Sequence, residues 1–387
     1  MRYVVDTIVR NSQQRVSYPL LPVEPTSVEL PVWGKEGLYF GSRHSPQKLL
    51  TEITEAVRAA KEVVAFQTLL LDDSPFIQEL ERAIKERGVR GYGVLAAEPL
   101  RKLAEEGEEH RYEHQFRDLI RRLSVLMPLR ISSRIHAKYL LIDPHLPTGR
   151  AFFLTSNLTQ KALSENIEVG KVLEGPAVRS LFEYFLYTFW EWAEEEFNEG
   201  GISVNISPLQ RYRLPSPGKL LCSLSQGQSY PLYEAIQEVI QKAKNYVALS
   251  TFLIAGVDKE PIRSIIQSLQ DALKRGVKVE IFYRFHEATY QSQIFPSLRS
   301  LVDAGAKVYL VQSPLLHAKF ILSDGKRGWL TTANLEGDKA KDTLDLGWEL
   351  SVDEAEVMEE YLAWLRSKAK YILHPRCPVQ ELKGKSF

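Results

Sequence analysis

Residues Ile135–Asp143 read IHAKYLLID, and residues Leu316–Asp324 read LHAKFILSD. Each is a β-rich run with the pattern HxKxxxxD: His136, Lys138 and Asp143 in the first, His317, Lys319 and Asp324 in the second. Along an extended chain successive side chains alternate faces, so a His and a Lys two apart project from the same side. The pattern sets a nucleophile or proton carrier beside a cation. One such pair on a strand is usually an ordinary surface pair; two at equivalent places in a repeat are not.

Around these stretches the duplication extends in both directions, with a period of about 180 residues. Upstream, AVRAAKEVVAFQTLLL (Ala56–Leu71) matches VIQKAKNYVALSTFLI (Val239–Ile254), each reading as the end of an amphipathic helix followed by a buried strand. ERAIKERGVRGYGVL (Glu81–Leu95) matches QDALKRGVKVEIFY (Gln270–Tyr283), each a helix closed by a glycine, Gly88 or Gly276, and then a strand. Downstream, FFLTSN and WLTTAN form further strands. Strand, helix, strand, helix and then paired strands in each half predicts an α/β fold with a mixed or largely parallel sheet. Each half is expected to close with a helix, over 176–198 and 353–372. The Gly-, Pro- and Ser-containing stretch Gly200–Lys219 marks the break between them. The expected organisation is an N-terminal extension over 1–42, read as an added edge strand or cover, then halves over 43–205 and 206–387.

Composition limits the remaining classes. The 387 residues include 49 basic and 49 acidic side chains, so the formal charge is zero and any polyanion site must be a local patch. With 44% hydrophobic and 25% charged residues, the chain reads as globular rather than disordered, collagen-like or disulfide-stapled. No run of about 18 apolar residues is present, and the first residues lack the pattern of a secretory signal. Cys222 and Cys377 have no CxxC or zinc-type neighbour, which fits a reducing, cytoplasmic setting. His110 and His114 have the i, i+4 spacing of helical metal ligands, but HRYEH is not HExxH, and they read as ordinary histidines.

Further polar residues recur downstream of the motifs. Asn157 lies in LTSNL and Asn334 in TTANL, with Thr155 and Thr332 two positions earlier on the same face. NIEVG supplies Glu168 and GWELS supplies Glu349. Each half therefore offers a His, a Lys, an Asn, a Thr and a Glu. Here the sequence resembles the phospholipase D superfamily, whose mark is a duplicated HxKxxxxD followed by a small-residue turn and an Asn. It departs from that pattern at the usual Gly-Ser, where Leu154-Thr155 and Thr331-Thr332 stand. The motif aspartates, Asp143 and Asp324, argue against the tyrosyl-DNA phosphodiesterase branch.

The resemblance implies two phospholipase D-type α/β sandwich halves packed as a pseudo-dimer with one shared active site, formed within a monomer. It implies a phosphodiesterase in which one His attacks phosphorus while the other protonates the leaving oxygen and later activates water. By family analogy His136 is the nucleophile and His317 the acid. Lys138, Lys319, Asn157 and Asn334 would hold the non-bridging oxygens. Glu168 and Glu349 would orient the imidazoles through their far nitrogens. Asp143, Asp324, Thr155 and Thr332 are placed behind them as supports. No cofactor or metal is called for, because two lysines supply the charge a divalent ion otherwise would.

The substrate is narrowed by local charge. From Arg111 to Lys138, seven basic residues stand against two acidic ones. Arg117, Arg121, Arg122 and Arg134 are the candidate nucleic-acid contacts, because arginine suits paired hydrogen bonds to phosphate. The aromatic helix SLFEYFLYTFWEWAEEEF (Ser180–Phe197) suggests a lipid interface, yet Phe182, Phe185, Phe189 and Trp192 fall at core spacing and its polar face is acidic. The reading is a metal-independent nuclease acting on DNA or RNA, with protein partners in a phage-defence system and homodimerisation open. The alternatives are a phospholipase D or phosphatidyl transferase, and a non-catalytic nucleic-acid-binding subunit.

Overall fold

The computed structural model describes residues 9–11, 14–16, 20–23, 27–45, 48–97, 111–225, 229–284, 295–311 and 313–373. Among the other residues are His110, His286, His374 and Cys377. The chain divides into two compact units. The first is Gly37–Cys222 with Asp342–Leu346; the second is Met1–Glu36, Ser223–Lys341 and Gly347–Phe387. The first unit therefore starts a few residues before the expected boundary at 43 and ends past 205. It also takes in a short segment from the second repeat, which no boundary in the sequence foretells.

Three short strands come before the first unit: β1 (Val9–Asn11), β2 (Gln14–Val16) and β3 (Leu20–Pro22). Within the first unit follow β4 (Leu38–Gly41), β5 (Val63–Thr68), β6 (Arg90–Ala96), β7 (Leu129–Ser132) and β8 (Lys138–Ile142). Next are β9 (Arg150–Leu154), β10 (Glu168–Glu174), β11 (Glu195–Phe197), β12 (Ser203–Asn205) and β13 (Leu220–Cys222). Its sheet runs β12-β11-β7-β6-β5-β8-β9-β10-β4. The pairs β5–β6 and β6–β7 are parallel, and β5–β8, β8–β9, β9–β10, β10–β4 and β7–β11 are antiparallel. Every residue of β5, β8 and all but the ends of β9 and β10 is buried, as expected of strands covered on both faces.

The second unit repeats this order. Its strands are β14 (Tyr246–Thr251), β15 (Ile254–Ala255), β16 (Lys278–Arg284), β17 (Lys307–Val311) and β18 (Phe320–Ser323). Then come β19 (Arg327–Thr331), β20 (Leu335–Glu336), β21 (Leu346–Glu349) and β22 (Tyr371–Leu373). The sheet runs β21-β19-β18-β14-β16-β17-β22-β3. β14 and β16, like β5 and β6, pair in parallel, and β14 meets β18 antiparallel as β5 meets β8. β3 fills the edge place that β12 holds in the first sheet, antiparallel to β22.

Helices cover these sheets for reasons visible in their sequences. α1 (Leu49–Ala59) buries Leu49, Leu50, Ile53, Ala56 and Val57, a stripe of period three to four. α2 (Pro75–Arg87) opens on a proline and closes at Gly88, whose φ of 70° is the left-handed conformation that glycine adopts freely. α3 (Arg111–Leu126), α4 (Gln160–Ser164) and α5 (Pro176–Tyr187) complete the first unit. The closing helix is shorter than expected. After Tyr187 it widens into a π turn over Thr188–Trp192, and Glu195–Phe197 turn into strand β11. Phe185, Phe189 and Trp192 are buried, so the aromatic run is core. In the second unit α6 (Pro231–Lys242), α7 (Ile262–Lys274), α8 (Phe295–Asp303) and α9 (Val352–Lys368) follow. The expected end of α9 at 372 gives way to β22 for the same reason that α5 gives way to β11: the sheet takes up the edge residues. No helix among the described residues is long and apolar enough to cross a membrane.

The motif aspartates are structural. The Asp143 carboxylate accepts hydrogen bonds from the backbone N–H groups of Lys61, Glu62 and Val63, all at 2.8 Å. Asp324 accepts them from Lys244, Asn245 and Tyr246 at 2.8–3.0 Å. Each pins the loop that leads from a helix into the central strand. Both residues have positive φ, 48° and 51°, which aspartate tolerates better than most residues. They close β8 and β18, at the far end from His136 and His317, seven residues or about 23 Å away at strand rise. Their contacts are to the loop before the central strand and brace the sheet. Asp143→Ala should strand three backbone donors and lower the unfolding free energy by about 3 kcal/mol. Urea unfolding would measure it, and the activity of the folded fraction should hold within about twofold.

Candidate active site

The first site is built where the chain passes from β7 to β8. Arg134, His136 and Ala137 are held by the segment Asp342–Leu346 through backbone hydrogen bonds. Leu344 donates its N–H to the Arg134 carbonyl at 2.7 Å, and its own carbonyl accepts from His136 and Ala137, both at 2.9 Å. The adjoining Asp345 places Oδ1 2.8 Å from His136 Nδ1. Asp345 is 6% exposed and the His136 side chain 17% exposed. A carboxylate so placed accepts a hydrogen bond from Nδ1–H, which leaves Nε2 with its lone pair available and stabilises the imidazolium that forms when Nε2 is used. Lys138, fully buried, donates to the His136 carbonyl at 2.5 Å.

A second brace lies under the motif strand. Gln67, on β5 and fully buried, donates from Nε2 to the Ala137 carbonyl at 3.2 Å and accepts from the Tyr139 hydroxyl at 3.0 Å. In the second unit Ser250 takes the same role, donating to the Ala318 carbonyl at 2.8 Å. The peptide between His and Lys is thus tied to the central strand in both units. Burial pushes the Tyr139 phenol well above its ordinary pKa, which keeps it a hydrogen-bond donor. In the second unit Lys319, also fully buried, sets Nζ 3.2 Å from His317 Nε2 and 2.8 Å from its carbonyl.

The asparagines stand one residue before a fixed point. Leu158 N–H donates to Thr68 Oγ1 at 3.1 Å and Leu335 N–H to the Leu253 carbonyl at 3.1 Å. Asn334 Nδ2 donates to Glu336 at 2.9 Å. Both Asn157 and Asn334 present a buried Oδ1 with no hydrogen-bond partner among the described residues, an arrangement that favours a donor from outside the protein. Thr155, fully buried, donates to Glu168 at 2.7 Å and accepts from the Val169 N–H at 2.9 Å, so its hydroxyl orders the Glu168 carboxylate. Thr332 is fully buried as well. The loss of Gly-Ser is thus met by threonines inside the sheet.

The placement of Glu349 differs from expectation. On β10, Gly170 pairs with Leu154; on β21, Gly347 pairs with Thr331, at the equivalent place. Counting from these glycines, Glu168 corresponds to Asp345, and Glu349 to Val172. Glu349 is exposed at the end of β21. The carboxylate that orients a histidine is therefore Asp345. The sequence holds the signal in NIEVG against TLDLG, once the two are aligned on their glycines rather than on the acid type.

Part of the basic cluster is paired with acids distant in sequence. Arg122 binds Glu81 at 2.9 Å and Asp73 at 3.1 Å, and walls a cavity of about 420 Å³ with Asp72, Asp118 and Phe116. Arg134 lies 3.6 Å from Glu194 and over the Trp192 ring. Arg130 pairs with Glu196 at 2.6 Å, donates to the Phe189 carbonyl at 2.5 Å and rests on two aromatic rings. Arg117 and Arg121 are exposed. Three of the seven basic residues counted along the chain, Arg122, Arg130 and Arg134, are thus offset by acids that the count did not include.

A family model described as "Cardiolipin synthase, PLD-like domain" matches the chain twice, over residues 53–190 and 236–368. The chain belongs to this phospholipase D-like family. Among curated proteins, the PLD-like chain is 22% identical over 337 residues to cardiolipin synthase A of Pectobacterium atrosepticum, covering 82% of this chain and 62% of that one. It is 25% identical over 327 residues to cardiolipin synthase A of Pseudomonas fluorescens, covering 78% and 63%. The chain thus spans about three-fifths of the length of these relatives. Among solved structures, phosphatidylserine synthase of Haemophilus influenzae shares the fold, with a TM-score of 0.64 at 12% identity over 92% of this chain and 90% of that one. Polyphosphate kinase of Porphyromonas gingivalis gives 0.52 at 14% identity over 85% and 49%.

Asp345→Asn would keep the contact but remove the charge and reverse the tautomer preference. We expect kcat to fall about 10²- to 10⁴-fold, by analogy with other carboxylate–histidine pairs. Steady-state kinetics on a chromogenic phosphodiester would show it, with the melting temperature nearly unchanged.

Proposed function

We propose that the protein transfers or hydrolyses the phosphatidyl group of a phospholipid through a phosphohistidine intermediate. His136 Nε2 attacks phosphorus; a P–N bond forms, a P–O bond breaks, and the leaving alkoxide takes a proton from His317. That imidazole, now neutral, then removes a proton from an acceptor hydroxyl, whose oxygen displaces His136 and restores both residues. An alcohol as acceptor gives transfer, and water gives hydrolysis. Lys138, Lys319, Asn157 and Asn334 are assigned to the non-bridging oxygens, where charge builds in the transition state. The hydrogen bond from His136 Nδ1 to Asp345 supports His136 as the nucleophile, because the carboxylate offsets the charge that the ring acquires.

The observation that carries the choice of substrate is the double match to a cardiolipin synthase-type PLD-like domain. The curated relatives at 22% and 25% identity are both named for phospholipid synthesis. The nuclease reading loses its main support, since Arg122 and Arg134 are already paired with acids. No property of the protein speaks for a phage-defence role. The lipid reading that stood second is therefore the one adopted.

The test uses mixed vesicles of phosphatidylglycerol and phosphatidylcholine in excess EDTA, with labelled single- and double-stranded DNA and RNA assayed in parallel. Cardiolipin or phosphatidic acid should form, and His136→Ala and His317→Ala should each reduce the rate at least about 10³-fold. Cleavage of nucleic acid with intact lipid would restore the nuclease reading.

A further inference from the structure

His136 follows a turn, Ser133–Arg134, that leaves β7, and this turn is gripped by the exit of the closing helix α5. Glu194 accepts the Ser133 backbone N–H at 3.0 Å on one carboxylate oxygen and the Ser133 hydroxyl at 2.6 Å on the other. Its Oε1 also lies 3.6 Å from Arg134 Nε. Beside it the Trp192 carbonyl accepts from Ser132 Oγ at 3.1 Å, and that oxygen, on a fully buried residue, accepts the Arg134 N–H at 3.3 Å. The Arg134 guanidinium lies 4.9 Å from the centre of the Trp192 ring. The three residues Ser132–Arg134 are thus tied to Trp192 and Glu194.

This grip depends on the π turn over Thr188–Trp192. The Ala193 N–H donates to the Thr188 carbonyl, five residues back, at 2.8 Å. A π turn holds one residue more than an α turn, which rotates the exit of the helix by about 100°. Ala193 is then extended, and Glu194 joins the sheet: its N–H donates to the Ile131 carbonyl at 2.8 Å and its carbonyl accepts from Ile206 at 2.9 Å. Within the π turn, Glu191 accepts the N–H groups of Gln210, Arg211 and Tyr212 at 2.7–2.8 Å, which anchors the turn on its other side. In the second unit the closing helix α9 runs from Val352 to Lys368 without such a turn. The device belongs to the unit whose histidine meets Asp345, and π turns recur at functional sites.

We propose that Glu194 is a positioning residue for His136. Its carboxylate fixes Ser133 and Arg134; the Arg134 carbonyl then takes the Leu344 N–H at 2.7 Å, and the next residue, Asp345, sets the tautomer of the ring. The pair with Arg134 is half exposed and contributes little by itself, so the two hydrogen bonds from Ser133 carry the effect. Glu194 takes no part in bond making. The proposal rests on the phosphodiester reading for its kinetic outcome only, since the state of the imidazole is observable without turnover.

Nitrogen NMR of protein labelled with ¹⁵N-histidine, the His136 signals assigned against His136→Ala, reads that state directly. Native His136 should carry its proton on Nδ1, whereas a free imidazole favours Nε2. Glu194→Ala should shift the population toward the Nε2–H form. Glu194→Gln, which keeps one acceptor oxygen for Ser133, should fall between the two. On a chromogenic phosphodiester, Glu194→Ala should lower kcat about tenfold, the size expected of one lost supporting hydrogen bond, with KM held within about twofold. If Glu194 acts through Asp345, the double variant Glu194→Ala, Asp345→Asn should be no more than about twofold slower than Asp345→Asn alone. A native tautomer in Glu194→Ala, whatever its melting temperature, would overturn the proposal and leave Glu194 as a tie of the sheet edge. Losses that multiply in the double variant would overturn it as well. Should Glu194→Ala fail to melt cooperatively, Glu194→Gln carries the comparison, and a native tautomer there has the same force. A native protein that turns over no phosphodiester would remove the functional reading, and the tautomer would still decide the role of Glu194.

Discussion

The Leu344 carbonyl accepts two backbone hydrogen bonds, from His136 and Ala137, and everything asked of His136 depends on that contact. A histidine just outside a strand has two free side-chain torsions and no reason to present one nitrogen. Here the backbone of Arg134–Ala137 is tied to Leu344 on one side and, through the Ala137 carbonyl, to Gln67 on the other. With the peptide fixed, Asp345 needs only to meet Nδ1. The residue after the anchor is the residue that orients the ring, so positioning and electrostatics come from one short segment.

The same economy explains the buried lysines. An ammonium withdrawn from water loses several kcal/mol of hydration unless polar groups replace it. Lys138 and Lys319 both turn back onto the carbonyl of the histidine two residues earlier, which sits on the same face of the strand. The HxK spacing is therefore more than a way of placing two functional groups side by side. It lets the backbone of one residue solvate the cation of the other. The aspartate that ends the motif serves a separate purpose, holding three N–H groups of the preceding loop, and it keeps the central strand from shifting relative to the motif strand.

Duplication has kept the sheet and relaxed the surroundings. Gln67 and Ser250 differ in size and chemistry yet donate to equivalent carbonyls. Gly170 and Gly347 are retained because a Cβ at either would meet a leucine of the covering helix, Leu49 or Leu232, and lift that helix from the sheet. Against this shared frame the π turn over Thr188–Trp192 stands out, since the closing helix of the second unit, α9, has none. An asymmetric reaction, with one donor and one acceptor, gives no reason for the two units to stay alike beyond the motif.

The order of strands, the repeat, the glycine stops after the helices and the His-Lys pairs were all legible in the sequence, because each rests on local periodicity or spacing. The clearest errors came where a contact joins distant segments. Seven basic residues near Arg122 counted as a patch, but three of them, Arg122, Arg130 and Arg134, meet acids at Asp73, Glu81, Glu194 and Glu196, which proximity along the chain does not reveal. Glu349 matched by residue type, and only strand register showed that Asp345 holds the equivalent place. The ends of the closing helices failed for a related reason: sheet edges recruited Glu195–Phe197 and Tyr371–Leu373 against their helical pattern. What the sequence determined by itself is the repeated α/β layer and the chemistry it carries, since side-chain alternation and helix periodicity are properties of a single segment. What only the tertiary structure decided is which carboxylate faces His136, which arginines are paired with acids and what braces the motif, because those depend on pairings between segments whose separation in sequence carries no information about their separation in space.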